Sequence, residues 1–350
     1  MTNRCPTCRA TYPDDENFCR RDGTRLEDRP SSRSAARPVK AGADLTDKVL
    51  DGRYHVERKV GEGGMSLVYL ATDVHTGEPC AIKVLAASLS RDANAMARLQ
   101  REARLGMRLA HPNVCHIIRL GGTEDGLMYV VMPFLNGEVL AERTNRRGYL
   151  PLDETARLVH DVAVGLHVAH KLAIVHRDLK PENVMVCTRP DGSDFAVIMD
   201  FGLAKERQAG PELQMLTATG IILGTPEFMS PEQLRGKPFD ARTDIYSLAL
   251  MTYEMLTGKL PFSGRTQQEL MIARLHTGPT PLRDLRRDLE FPDAVERVLA
   301  KATQANPDDR YPTTIEFADA LSAAVAGGAH GDLAHESSSG GDARGRTPGR

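Results

Sequence analysis

The feature that most constrains this chain is the run HRDLKPEN at residues 176–183, followed by DFG at residues 200–202. Together the two segments place a carboxylate, an ammonium group, an amide and a second carboxylate in a fixed order. Phosphoryl transfer from ATP needs such a set: a group that positions a hydroxyl, a cation near the moving phosphate and oxygen ligands for magnesium. The pattern therefore predicts that the two segments meet in one cleft.

These segments resemble the catalytic loop and the magnesium loop of the protein kinase family. The resemblance implies that Asp178 positions the acceptor hydroxyl and that Lys180 neutralises charge developing on the γ-phosphate. Asn183 and Asp200 would then bind Mg²⁺. Lys180, together with Thr225 in the Gly-Thr pair before Ser-Pro-Glu, resembles the pattern of serine/threonine kinases. The implied catalytic residues are Asp178, Lys180 and Thr225, and the implied acceptors are Ser and Thr hydroxyls of proteins.

A glycine-rich segment, residues 61–68, resembles the family's loop over the ATP phosphates, with Ser66 in place of its third glycine. Glycines let backbone N–H groups approach phosphate oxygens closely. Lys83 and Glu102 fall where the family places an ion pair that holds the α- and β-phosphates. The residues that the resemblance assigns to ATP are Gly61, Glu62, Gly63, Gly64, Met65, Ser66, Val68, Ala81, Lys83, Glu102, Met132, Pro133, Leu135 and Met185.

The adenine pocket follows from the same resemblance. Val68 and Ala81 would form its ceiling and Met185 its floor, and Met132 would stand just before the hinge. Pro133 has no N–H. Because this hinge position needs only a carbonyl to accept from the adenine amino group, the proline is compatible with ATP binding.

A regulatory threonine is also expected. In the family, the arginine at the position of Arg177 commonly binds a phosphate on the activation loop, since a bidentate Arg–phosphate pair can order a mobile segment. Thr217 and Thr219 lie between DFG and Ser-Pro-Glu. We predict autophosphorylation at one of them, with homodimerisation as a route to phosphorylation in trans. The alternative is a plain polar loop.

The order of the predicted elements indicates an α+β fold with two lobes, a β-rich N-lobe and a helical C-lobe. Strands are predicted at 54–60, 67–73, 80–85, 127–134, 184–187 and 196–199. Helices are predicted at 92–110, 153–172, 240–257, 266–275 and 292–303. The domain assignment is a zinc-ribbon-like module at 1–27, a flexible linker at 28–50, a protein kinase domain at 51–325 and a disordered tail at 326–350.

Composition restricts the other functions. A net charge of −2 gives no electrostatic reason to expect a nucleic acid or membrane partner. We find no run of about 18 apolar residues, so no membrane span is predicted. Three of the six cysteines are crowded at the N-terminus and three are scattered. This distribution favours a reducing, cytoplasmic location over a disulfide scaffold.

The N-terminal cysteines have metal-ligand spacing. Cys5 and Cys8 form a Cys-x-x-Cys pair, and Cys19 is followed by Asp22 where a second pair would end. Three thiolates and a carboxylate could hold Zn²⁺, and a segment this short has little core to organise it otherwise. A degenerate module without metal is the alternative.

Two further classes remain as alternatives to an active protein kinase. A catalytically silent pseudokinase would act as a scaffold, but such proteins usually lose the equivalent of Lys83, Asp178 or Asp200, and all three are present. A kinase for small molecules would generally lack the Ser-Pro-Glu segment at 230–232 and its arginine partner, for which Arg310 is the candidate.

Overall fold

The structure is a computed structural model of the 350-residue chain. It divides into two units: the first comprises Met1–Val139, Val168–His176 and Asn183–Gln208, and the second comprises Leu140–His167, Arg177–Glu182 and Ala209–Arg350. The residues that the structure describes are 2–5, 8–13, 44–63, 66–85, 100, 103–104, 106–123, 127–201 and 226–336.

The first unit is built on an antiparallel six-stranded sheet with the strand order β3-β4-β5-β6-β8-β7. Aromatic and β-branched residues, which suit a pleated half-buried surface, are frequent in these strands. The strands are β3 (Val49–Leu50), β4 (Tyr54–Gly63), β5 (Ser66–Asp73), β6 (Pro79–Leu85), β7 (Arg119–Gly122) and β8 (Met128–Pro133).

Strand β8 is buried on both faces over most of its length. Along β8, Tyr129 and Val131 enter one apolar cluster, whereas Met128 and Val130 enter another. Such alternation follows from the two-residue period of a strand. This burial fixes the register of β8, because a slip of one residue would exchange the side chains that enter the two apolar clusters.

Two smaller sheets complete the first unit. The hairpin of β1 (Thr2–Arg4) and β2 (Thr11–Pro13) is antiparallel. The other sheet has the order β11-β10-β9, with β9 at Gly137–Val139, β10 at Val184–Thr188 and β11 at Asp194–Ile198. In the sequence, the β10–β11 hairpin connects the catalytic-loop segment to the DFG segment. It therefore positions Asn183 before β10 and Asp200 after β11.

Helices dominate the second unit. They are α1 (Leu140–Arg147), α2 (Leu152–Lys171), α3 (Pro231–Leu234), α4 (Arg242–Thr257), α5 (Gln267–His276), α6 (Leu282–Leu285), α7 (Asp293–Ala302) and α8 (Thr314–Glu336). The last residues of α2, from Val168, cluster with the first unit.

Helix α4 is the central element of the second unit. It is buried around almost its whole circumference, as expected for a helix inside a core rather than on a surface. The helix ends at Gly258, whose φ of 69° lies in the left-handed region that glycine adopts readily. A Cβ at this position would lie 2.2 Å from the carbonyl oxygen of Gly148, so close packing also requires glycine.

Most predicted elements are confirmed within one or two residues, and three differences have local causes. The elements that were not predicted are mostly short: strands β1, β2, β3, β7 and β9 and helices α1, α3, α6 and α8. The helix predicted at 92–110 has its last described helical residue at Gly106, because the Gly106 carbonyl accepts from Leu109 N–H and Ile117 N–H instead of continuing the helix. Helix α8 continues to Glu336, past residue 326 where the disordered tail was expected to begin.

Candidate active site

A short ion pair joins two predicted ATP-site residues of the first unit. Lys83 lies on β6, and its Nζ is 2.6 Å from Oδ1 of Asp200, which follows β11. The Lys83 side chain is 12% exposed and that of Asp200 is 37% exposed. A cation and a carboxylate far apart in sequence therefore meet at a place that solvent, and hence a ligand, can reach.

The backbone before Asp200 is held by two hydrogen bonds. Met199 N–H donates to the carbonyl of Asn183 at 2.8 Å, and the Met199 carbonyl lies 3.0 Å from His176 Nε2, which must donate to it. The His176 ring also contacts Phe201, with ring centroids 4.9 Å apart. These contacts bring the segments of the two predicted magnesium ligands together. They agree with a structural role for His176 as a support of the DFG segment.

Sheet register brings the predicted nucleotide-binding residues onto neighbouring strands. Val68 on β5 pairs with Gly61 on β4 and with Lys83 on β6. Ala81 on β6 pairs with Met132 on β8. Met185, the predicted adenine floor, lies on β10 in the smaller sheet, and Leu135 follows β8.

A small cavity adjoins this site in the first unit. Its lining residues are Gly106, Leu109, Cys115, Ile117, Met132, Asp200 and Phe201. Cys115 was not anticipated from the sequence, where nothing distinguishes it from a core cysteine. Burial raises the pKa of its thiol to about 12, so the thiol stays protonated and unreactive at neutral pH.

Residues 177–182 of the catalytic loop lie in the second unit. Lys180 Nζ is 4.0 Å from Oδ2 of Asp178, so both predicted catalytic groups face a common volume. The loop's backbone is held on both sides of Arg177: its N–H donates to the buried Asp244 at 3.0 Å, and its carbonyl accepts from Gln233 Nε2 at 2.8 Å.

Gln233 is a supporting residue that the sequence analysis missed. It also completes a capping box at the start of α3: its Oε1 accepts from Ser230 N–H at 2.9 Å, and its own N–H donates to Ser230 Oγ. The sequence Ser-Pro-Glu-Gln at 230–233 matches the Ser-x-x-Gln signature of a capping box, so the role of Gln233 at the start of α3 could have been predicted from the sequence.

A buried ion pair fixes the same helix. Arg310 makes two hydrogen bonds to the Glu232 carboxylate, at 2.7 and 2.8 Å, and Thr243 Oγ1 donates a third. Burial alone would raise the pKa of Glu232, but the hydrogen bonds and charge of Arg310 outweigh it and hold the pKa below its usual value. This confirms the predicted Arg310–Glu232 contact.

Several predicted site residues lie outside the described part of the chain: Cys19, Asp22, Gly64, Met65, Glu102, Thr217, Thr219 and Thr225. The Lys83–Glu102 pair, the activation-loop threonines and the full zinc ligand set therefore stay predictions.

The first unit is an antiparallel sheet with a lysine–aspartate ion pair. The second unit is helical and carries an Arg-Asp loop braced by a buried aspartate. These features define the two-lobed protein kinase class. The sequence agrees, since residues 54–320 match the model of the protein kinase domain family. The chain therefore belongs to the protein kinase family.

Curated relatives and solved structures support this assignment. The chain is 36% identical over 280 residues to serine/threonine-protein kinase pkn3 of Myxococcus xanthus, covering 80% of this chain and 51% of that protein. It is 34% identical to serine/threonine-protein kinase PknB of Mycobacterium leprae, covering 77% and 42%. The crystal structure of the Mycobacterium tuberculosis PknI kinase domain superposes with a TM-score of 0.62 at 27% identity, covering 81% of this chain and all of that domain.

The chain spans about half or less of the length of these curated relatives. Among the residues that the structure describes, no helix is long and apolar enough to cross a membrane.

Proposed function

We propose that this chain is an ATP-dependent serine/threonine protein kinase. The observation that carries the proposal is the 2.6 Å contact between Lys83 and Asp200, which pairs the expected phosphate-binding cation with the expected magnesium ligand. Relatives named serine/threonine kinases, at 32 to 38% identity, support the choice of acceptor.

The residues fit Mg²⁺ and ATP. The Asp200 carboxylate is partly exposed and Asn183 is tied to its segment, so both can offer the oxygen ligands that a hard cation prefers. When bound, magnesium neutralises charge on the phosphate oxygens. Lys83 would hold the α- and β-phosphates, Asp178 would orient the acceptor hydroxyl and take up its proton, and Lys180 would stabilise charge on the transferred group.

The test is transfer of labelled γ-phosphate from ATP, with Mg²⁺, to the enzyme itself and to a basic protein acceptor. We expect label on serine and threonine with the wild-type chain. Asp178→Asn should reduce transfer by about 10²- to 10⁴-fold without loss of fold. Absence of transfer from a folded wild-type chain would instead support the pseudokinase scaffold.

We further propose that autophosphorylation at Thr217 or Thr219 activates the enzyme through Arg177. Its backbone is held on both sides by Asp244 and Gln233, which gives the guanidinium a fixed base from which to bind a phosphate. Phosphopeptide mapping of wild-type and Asp178→Asn chains tests this, and no phosphate on either threonine contradicts it. Labelling of Asp178→Asn by the active chain would indicate phosphorylation in trans within a homodimer.

A second proposal concerns the N-terminal hairpin, which we infer to be half of a zinc site. Cys5 is buried, and its Sγ accepts from the N–H of Cys8 at 3.4 Å. Arg9 turns the chain with φ of 60°, so both sulfurs come from one tight turn between β1 and β2. Cys19 and Asp22 would complete the set. Elemental analysis of the reduced full-length chain should find about one zinc per chain, which Cys5→Ser should abolish. A trace in both excludes the site.

We also propose a cytoplasmic location for the kinase and its protein substrates. Cys80, Cys115 and Cys187 are free thiols, as expected in a reducing compartment. Fractionation of the source cells with an antibody to the chain tests this location, and recovery only with the membrane fraction contradicts it.

A further inference from the structure

A buried arginine on helix α5 has no part in the phosphoryl-transfer site described above. Arg274 is 1% exposed and is among the largest fully buried side chains of the protein. Burying a guanidinium is unfavourable unless its donors are hydrogen-bonded. The position of its hydrogen-bond acceptors therefore indicates what the residue does.

Its guanidinium reaches the backbone of another segment of the second unit. Nη2 donates to the carbonyl of Glu227, and Nη1 donates to the carbonyl of Met229 at 3.4 Å. The group also lies over the ring of Phe262, 5.9 Å from its centroid. Burial lowers the pKa of Arg274 to about 10, so it stays charged at neutral pH and keeps donating to both carbonyls.

The two carbonyls that Arg274 holds belong to a segment of residues 226–235, which begins directly after Thr225 and contains α3 with its capping box. Gln233 of this segment donates to the carbonyl of Arg177, next to the proposed catalytic Asp178, so the segment is tied to the loop beside which the acceptor hydroxyl must lie. Arg235, at the other end of this segment, reaches back to α5, where its Nη2 donates to the Leu275 carbonyl at 3.1 Å. Helix α5 thus contacts the segment at both of its ends.

The C-terminal part of the segment is fixed independently of α5. Glu232 binds Arg310, and Gln233 caps α3. Residues 227–229 lack such carboxylate or capping contacts among the described hydrogen bonds, apart from Ser247 Oγ, which donates to the Phe228 carbonyl at 2.8 Å. Of the described side-chain hydrogen bonds to the carbonyls of this stretch, Arg274 provides two and Ser247 provides one.

We propose that Arg274 is a positioning residue for the protein acceptor: it fixes the backbone of residues 227–229 in the conformation that binds the substrate next to the transfer site. The inference rests on the proposed kinase function and deepens it. It does not involve ATP, because none of the Arg274 contacts named above reaches the residues assigned to the nucleotide.

The test compares full-length wild-type, Arg274→Gln, Arg274→Lys and Arg265→Gln chains. Arg265 is an exposed arginine just before α5 and serves as the matched control. Initial rates are measured against a histone acceptor at saturating ATP, and against ATP at a fixed histone concentration. Thermal melting and amide hydrogen exchange at residues 227–229 are measured on the same chains.

We expect Arg274→Gln to raise the KM for histone by about tenfold, since misplacing a substrate-binding segment by a fraction of an ångström has effects of this order. The KM for ATP should change by less than about twofold because the ATP-site contacts are untouched. Arg274→Lys, which keeps one charged donor, should recover part of the loss. Exchange at 227–229 should be faster in Arg274→Gln, and Arg265→Gln should match the wild type throughout.

Each contrary outcome is distinct. If the folded wild-type chain transfers no phosphate, the kinase function fails and this inference fails with it. If the wild type is active and Arg274→Gln keeps the wild-type histone KM, the inference alone is wrong. If Arg274→Gln does not fold, Arg274→Lys decides by the same KM criterion. Failure of both variants to fold, or an equal fall in kcat with unchanged histone KM, assigns Arg274 to stability alone.

Discussion

Two ion pairs, one in each unit, use the same kind of contact for different purposes. Lys83 and Asp200 in the first unit meet at 2.6 Å, and Arg310 and Glu232 in the second unit meet at 2.7 and 2.8 Å. Their burial differs sharply: the side chains are 12% and 37% exposed in the first pair, but 0% and 6% exposed in the second.

The difference in burial separates a contact that can exchange partners from one that cannot. Arg310 is held in addition by the carbonyls of Gln304 and Arg242, and Glu232 accepts from Thr243 as well. Breaking this network would leave a buried charge uncompensated. The Asp200 side chain is exposed enough for water, magnesium or a cation bound to phosphate to replace Lys83 as its partner at low cost. The proposed nucleotide site requires such an exchange.

The largest effect should come from changing the partly exposed Lys83–Asp200 pair, and it should appear in the rate of phosphoryl transfer. We expect Lys83→Met to lower kcat by at least about a hundredfold, since it removes a preorganised cation from the proposed phosphate site. The free energy of unfolding should change by less than about 1 kcal/mol, because a partly exposed pair contributes little to stability. Transfer assays and denaturant melts measure the two quantities, with the exposed Lys171→Met as control. A large loss of stability would remove the proposed distinction between the pairs.

The buried pair should show the opposite behaviour. We expect Arg310→Met to lower the free energy of unfolding by about 3 to 5 kcal/mol, because Glu232 keeps a buried charge without its main cation. The measurement is urea unfolding at neutral pH. In the double variant with Glu232→Gln the loss should be smaller than the sum of the two single losses. Additive losses would show that the two residues do not act as a pair.

The Arg310–Glu232 pair also predicts that the free energy of unfolding depends on pH. The pKa of Glu232 is lowered in the fold from its ordinary value of 4.5. The unfolded chain therefore takes up this proton first as pH falls. The contribution of Glu232 is complete above 4.5 and is lost as pH drops through the lower folded pKa. Acid unfolding of the wild type should be steeper below pH 4.5 than that of Glu232→Gln, and identical profiles would contradict the assignment.

A half-buried carboxylate, Glu254, sharpens the comparison because two like charges act on it. Burial and the charges of Glu182 and Glu227 raise the pKa of Glu254 from 4.5 to about 7. The folded chain therefore holds this proton more tightly, and stability falls as pH rises from 4.5 to 7. We expect Glu254→Gln to remove that slope and to stabilise the chain at pH 8 by about 3 kcal/mol. Melting curves from pH 5 to pH 8 test this, and an unchanged slope would contradict it.

The smallest effect is expected for a pair on the surface of α2. Arg157 and Asp153 meet at 2.7 Å, as closely as the buried pair, but their side chains are 65% and 68% exposed. Arg157→Ala should change the free energy of unfolding by less than about 0.5 kcal/mol, and by still less at high salt. A change comparable to that of Arg310→Met would show that distance, not burial, governs these pairs.

Much of the fold and site could be predicted from the sequence, and the misses have physical reasons. The longer strands and helices have clear periodicity, so both ends of β5, α2 and α4 were found within two residues and those of β4 within three. The two-residue strand β3 and the four-residue helix α6 are too short for a periodic pattern. Helix α8 runs into a glycine-containing segment that composition favours as disordered.

Within the site, the residues that could be predicted from the sequence are those that lie a few positions apart in a short motif, because the chemistry requires that spacing. Asp178, Lys180, Asn183 and Asp200 belong to this class, and so does the capping-box signal of Gln233. Arg274 carried no such signal. A lone arginine on an amphipathic helix resembles a solvated surface residue, and only the fold shows that it turns inward to the backbone of residues 227–229.

The sequence by itself determined the family of this protein and the order of its predicted catalytic groups, because phosphoryl transfer requires particular side chains at short, fixed spacings. Only the tertiary structure decided which charges are buried. Glu254 and Arg274 look equally ordinary in the sequence. Their roles depend on desolvation, and desolvation is set by packing against residues distant in the chain.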